Sequence, residues 1–161
     1  MHRGLLRTSL PGLLLFLSCG CSAALPTGRP GRLSSASLAG RDPYDAGCTA
    51  DASTIAKAAA FDPSGHRVAT VELRWSARCG TAWARAVRVA SASGTLVASV
   101  QAASLSNTFE HATDGEVWTD MVPAPHACAT VSGGIRRSDG TLEDARASSC
   151  DPTSDTGLAL R

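Results

Sequence analysis

Four cysteines, Cys48, Cys79, Cys128 and Cys150, stand beyond an apolar leader in a chain of 161 residues that carries six cysteines in all. An even set of this kind in an exported domain forms disulfides by default, and four cysteines allow three pairings. Spacing alone does not choose among them. Each of the pairs Cys48–Cys79 and Cys128–Cys150 brackets one candidate hairpin, so these are the pairings expected. Closing loops of this length constrains the unfolded chain by about 3–4 kcal/mol each. That contribution matters because aromatic residues make up only 4% of the sequence, too few for a core of large side chains.

Export is expected from the N-terminus. His2, Arg3 and Arg7 precede a short apolar run, Leu10 to Leu17, with Pro11 inside it. A helix that crosses a bilayer needs about 20 apolar residues, so this run is too short to span. A basic start, a short apolar middle and small residues after it are the pattern of a secretory signal peptide, here residues 1–20. Gly20-Cys21 has the form of a bacterial lipobox end, so Cys21 is the expected lipidation site, with Cys19 a weaker second candidate. Ser18 departs from the Leu usually preferred there. Ordinary signal-peptidase cleavage near Ser22-Ala23-Ala24 is the rival. The first outcome leaves the chain on the outer face of the cell membrane through two acyl chains; the second makes it extracellular.

Charged residues are 18% of the chain, apolar residues 43%, and the formal net charge is +1. Loss of the leader removes two arginines and leaves the remainder near neutral. Such a balance gives no electrostatic reason to bind nucleic acid. Residues 21–41 are rich in Pro, Gly and Ser without apolar periodicity and read as a flexible linker. The folded domain is expected at 42–151, followed by a polar tail, 152–161.

Within that span the clearest element is Val68 to Ser76, where Ala69, Val71, Leu73 and Trp75 alternate with Thr70, Glu72 and Arg74 at the period of a half-buried strand. A second strand is expected over Thr81 to Val89, with Trp83, Val87 and Val89 on one face and Arg85 interrupting them. Thr95 to Gln101, Glu116 to Val122 and Cys128 to Ser132 follow, with turns at Ser93-Gly94 and Asp139-Gly140. Asp51 to Phe61 divides the signals. Its alanines favour helix, whereas Asp62-Pro63-Ser64-Gly65 makes a good hairpin turn into the next strand. Short strands and regular turns point to an all-β fold, a small antiparallel sandwich or barrel.

The strings DPYDAGCTADAST, VATVELRWSARCGTAWAR and HACATVSGG resemble an actinobacterial family of unknown function, domain of unknown function 2690. The specific part is VELRWSxxCxTxWAR, in which Trp75 stands where the family usually has Tyr. The resemblance covers about Asp42 to Cys150. It implies an early cysteine pair matching Cys48 and Cys79 and a later pair matching Cys128 and Cys150, and it tips Ser53 to Phe61 toward a strand. Relatives sit outside the membrane, behind a signal peptide or behind a cytosolic helix-turn-helix and a membrane span. That implies an extracytoplasmic sensing or binding role, of which this chain carries only the external module. The resemblance implies no catalytic residues.

The residues themselves show no motif of a known chemistry. No G-x-S-x-G elbow is present, and His66, His111 and His126 read as turn or loop residues. No paired metal-ligand spacing surrounds His126 and Cys128, so neither metal nor cofactor is expected. Ser132-Gly133-Gly134 is a small-residue loop with no helix behind it to cradle phosphate. Glu110, Asp114, Glu116 and Asp120 read as a solvated loop and strand face. Trp75, Trp83 and Trp118 read as core anchors, and Arg85 as the partner of Glu72 in an ion pair. The expectation is a non-enzymatic, extracytoplasmic binding or sensing domain of the cell envelope whose partner is an envelope component or a small ligand. An envelope hydrolase or transferase using His111 or His126 is the alternative, and a purely structural envelope protein a third.

Overall fold

A computed structural model describes residues 34–111 and 115–150. The expected signal peptide, the candidate lipidation site Cys21, the linker through residue 33, Asp114 and the tail lie outside the described residues. The strands are β1 (Ser53–Phe61), β2 (Arg67–Ser76), β3 (Thr81–Arg88), β4 (Thr95–Ala102), β5 (Leu105–His111), β6 (Glu116–Trp118), β7 (Val122–Pro123), β8 (Thr130–Arg136) and β9 (Leu142–Ser148). Among the described residues the helices are two single-turn 3-10 segments, Ser35–Leu38 and Cys48–Asp51. One sheet runs β1-β2-β3-β6, with β7 also on β3; the other runs β5-β4-β8-β9. All pairings are antiparallel. The all-β expectation therefore resolves to a two-sheet sandwich.

Small side chains build the space between the sheets. Ala56, Ala58 and Ala60 of β1 stand opposite Leu73, Val71 and Ala69 of β2, which face Ala84, Ala86 and Arg88 of β3 in turn. Leu96, Ala98 and Val100 of β4 and Val131 and Ile135 of β8 close the core from the other side, all of them fully buried. The stretch from Ser53 is thus strand rather than helix, because its alanines fit against a neighbouring strand and a covering sheet. Irregularities between Thr54 and Ala56 and between Ala60 and Phe61 shift the register, so the alternation Ile55, Lys57, Ala59, Phe61 does not mark the core face.

On β3 the inward face is Ala82, Ala84 and Ala86. Trp83, Arg85 and Val87 do share a face, but it is the outer one. Side-chain size misleads there: the sheets approach closely only where residues are small, and the large indole is buried on the far side by another element. That element is the segment from Ser34 to Asp51. Leu38, Cys48, Cys79, Trp83 and Met121 form a second buried cluster, against which Ala46, Ala52 and Trp118 pack. Backbone bonds Gly40 N–H to Met121 O (2.9 Å) and Met121 N–H to Arg41 O (3.0 Å) stitch the segment down. The folded part consequently begins before Asp42, and residues 34–41 belong to it rather than to a linker.

The disulfides are Cys48–Cys79 and Cys128–Cys150, spanning 31 and 22 residues. The first ties the overlying segment to the β2–β3 turn, where Ser76 Oγ donates to Asp51 Oδ1 (2.6 Å) and Arg78 N–H donates to Asp51 Oδ2 (2.9 Å). The second joins the strand ends around the β8–β9 hairpin. Gly133 and Gly134 lie within β8, not in a loop. A Cβ on Gly134 would come to 1.9 Å from Glu143 O, and one on Gly133 to 2.2 Å from Val97 O, so neighbouring backbone occupies the side-chain space on both flanks.

Two outcomes follow. Gly134→Ala forces that clash and lowers unfolding free energy by about 1–3 kcal/mol, read from urea denaturation. Under mild reductant without denaturant, Cys128–Cys150, whose cysteines are exposed, opens before Cys48–Cys79, whose cysteines are buried. Alkylation followed by peptide mass mapping reads the order.

Candidate functional site

The two sheets part between β5, the edge strand of one, and β6, the edge strand of the other. At the opposite edges β1 packs against β9 and closes the sandwich. Asn107, Phe109 and His111 of β5 pair with Val100, Ala98 and Leu96 of β4, the residues that face the core. Asn107 is pinned by its Nδ2–H bond to Met121 O (3.2 Å). The strand across from Phe109 and His111 is only three residues long, and Phe109 stays 47% exposed in an inward register. Its ring lies near-parallel to that of His111, 14° between planes and 6.3 Å between centroids.

An open cleft of about 380 Å³ results, lined by Asp42, Phe109, His111, Glu116, Val117, Trp118 and Asp120. Trp118 is held from two sides. Tyr44 packs on it with ring centroids 4.7 Å apart, and its indole N–H donates to Asp42 Oδ2 (2.9 Å). The other oxygen of Asp42 accepts from the backbone N–H of Tyr44 (2.7 Å) and of Asp45 (3.1 Å). Burial alone would raise the Asp42 carboxyl, but the Trp118 indole and the two backbone donors outweigh it and hold it below the usual carboxylate range. Asp42 is therefore anionic at neutral pH. Glu116 receives Arg85 through both Nε (2.8 Å) and Nη2, and Arg85 Nη1 also donates to Glu72 Oε2 (2.9 Å). The expected Glu72–Arg85 ion pair is present and is extended by Glu116. Asp120 makes no hydrogen bond or ion pair among the described residues.

The acidic residues singled out in the sequence are thus not gathered together. Glu110 lies on the outer face of β5, paired with Arg136 (2.7 Å), while Glu116 and Asp120 line the cleft. Trp83 is the buried anchor expected; Trp75 is half-buried, its indole N–H bonded to Ala124 O (2.8 Å), and Trp118 walls the cleft. Among the described residues no group of three or more His, Cys, Asp and Glu could hold a metal ion, and Cys128 is tied to Cys150 beside the exposed His126. Asp62, Ser64 and His66 do meet in the β1–β2 turn. Ser64 Oγ donates to Asp62 Oδ1 (2.6 Å) and lies 2.8 Å from His66 Nδ1. In a hydrolase triad the histidine stands between serine and carboxylate, whereas here the serine stands between them and sends its proton to Asp62. Asp62 Oδ1 also accepts from the backbone N–H of Ser64 and His66, both at 2.9 Å, so the trio closes a turn.

Sequence reasoning missed Asp42, Tyr44 and Phe109. The alternation Asn107, Phe109, His111 was the available signal for the last; nothing local marks Asp42 and Tyr44, which meet Trp118 because the segment that carries them folds back over β3.

The model of a family described as a protein of unknown function, DUF2690, matches residues 36–131. The chain belongs to this family. The DUF2690 match begins within the first 3-10 turn, in accord with Leu38 being part of the fold, and takes in Cys48, Cys79 and Cys128. It ends inside β8, so β9 and Cys150 lie beyond the matched span. No curated protein and no solved structure matches the chain.

Asp42→Ala frees the Trp118 indole and lowers stability at pH 7 by about 1–2 kcal/mol. Because the folded pKa of Asp42 lies below its unfolded value of about 4, its contribution is complete above that pH and fades as pH falls through the folded pKa. Denaturation of wild type and variant at pH 7 and at acid pH reads the narrowing gap.

Proposed function

We propose that this chain is a non-enzymatic binding or sensing module outside the bacterial cytoplasm, lipid-anchored through Cys21, whose ligand seats in the cleft between β5 and β6. The observation that carries the binding role is Phe109, an aromatic side chain in an inward register that protein only half covers, at the wall of a cleft it shares with Trp118. A rigid concave site with apolar walls and a few polar groups is what small-ligand binding requires. The compartment is supported by two disulfides, which persist in oxidising surroundings, and by the leader pattern that ends at Gly20-Cys21.

Expression of the full chain in a secreting Gram-positive host, followed by intact-mass analysis with and without reduction, tests the compartment. A diacylglyceryl adduct on a chain starting at Cys21, with the other four cysteines oxidised, is the expected result. A lipid-free chain starting near Ala24 or Leu25 replaces the anchor with free secretion, and an unprocessed chain with free thiols overturns export. For the cleft, the mature chain made without the leader, and so without a lipid anchor, is expected to be retained on washed cell envelopes and its Phe109→Ala variant to be released at unchanged Tm. Equal retention of both moves the binding site elsewhere.

A further inference from the structure

We infer that the cleft between β5 and β6 takes a small organic cation, an alkylammonium or quaternary ammonium head with its carbon substituents against the aromatic walls. This rests on the cleft being the binding site and adds the chemistry of its ligand. The volume, about 380 Å³, suits a small molecule.

Charge complementarity sets the sign of the ligand. Among the described residues, three carboxylates line the cleft and no Lys or Arg does. Glu116 is matched by Arg85, and Arg74, 4.0 Å from Glu72, balances that second carboxylate. Asp42 and Asp120 remain. The donors on Asp42 are an indole and two peptide N–H groups, all neutral, so its charge is stabilised without being cancelled. Asp120 is exposed and has no partner among the described residues. Two uncompensated negative charges at a cleft raise the local concentration of cations and repel anions.

The aromatic walls set the kind of cation. Trp118 and Phe109 line the cleft. Rings of this kind attract a desolvated positive charge, Trp most strongly, and the interaction favours ammonium groups that carry methyl or methylene carbons over hydrated metal ions. Tyr44 and the Asp42 bond fix the Trp118 ring in advance, so little ordering accompanies binding. A carbohydrate would also stack on these rings, but its neutral hydroxyls would leave the charges of Asp42 and Asp120 uncancelled.

The indole N–H resonances of Trp75, Trp83 and Trp118 in the 15N-labelled mature chain provide the test, with choline, tetramethylammonium, butylamine, butyrate and glucose as probes at constant ionic strength. The expected result is a saturable shift of the Trp118 indole with the three cations, none with butyrate, and a fixed Trp83 resonance. Asp120→Asn and Phe109→Ala, both at exposed positions, are each expected to weaken choline binding roughly fivefold or more. A shift with glucose but none with the cations overturns the cationic ligand and leaves the cleft as a binding site. Cation binding that both variants retain overturns it too. No Trp118 shift with any probe up to about 50 mM, a range in which even very weak sites fill, overturns it as well, and envelope retention then decides the binding role separately.

Discussion

The burial of Trp83 on the outer face of its sheet is the constraint on which much else depends. A sandwich of this size has one interior, and that interior is filled with alanine, valine, leucine and Ile135. The largest side chain of β3 points away from it. The segment from Ser34 to Asp51 folds over the indole, places Leu38 against it, and is locked by Cys48–Cys79 and by the bonds of Asp51 to Ser76 and Arg78. Without that cover a large apolar surface would face water.

The same segment builds one wall of the cleft. Asp42 and Tyr44 lie between Leu38 and Cys48, so the residues that bury Trp83 also carry the groups that hold Trp118. Stability and the candidate site are coupled through one disulfide-closed loop. At the other wall the cause is an imbalance of strand length: β5 has seven residues and β6 three, which leaves the inward residues Phe109 and His111 beyond the reach of the opposite sheet. An edge strand normally hides apolar side chains or replaces them with charge. Here aromatic rings remain open beside carboxylates, a combination that suits a ligand better than it suits bare stability.

Much of the architecture was legible in the residues. The period-2 alternation of Ala69 to Trp75 and of Leu96 to Val100 marks strands because both faces meet different surroundings. The turns at Asp62-Pro63-Ser64-Gly65 and Asp139-Gly140 were readable because turn chemistry is local. β5 escaped because it is an edge strand exposed on both faces, with no burial pattern to betray it. Gly133 and Gly134 read as loop because a pair of glycines has no propensity for strand; they are strand because the backbones of β4 and β9 leave no room for a Cβ. The face of β3 was misleading because hydrophobic size is a poor guide where the core admits only alanine.

Chain order by itself determined the cysteine inventory, the strand periods, the turns and the near-neutral charge, since each is a property of neighbours along the chain. Only the tertiary structure decided that residues 34–41 belong to the fold and that Trp83 is buried outward. It alone brings Asp42 to Trp118 across 76 positions of sequence and opens the two sheets at β5 and β6. Those outcomes depend on which distant backbones approach closely enough to exclude a side chain or leave one uncovered, and no local period encodes that distance.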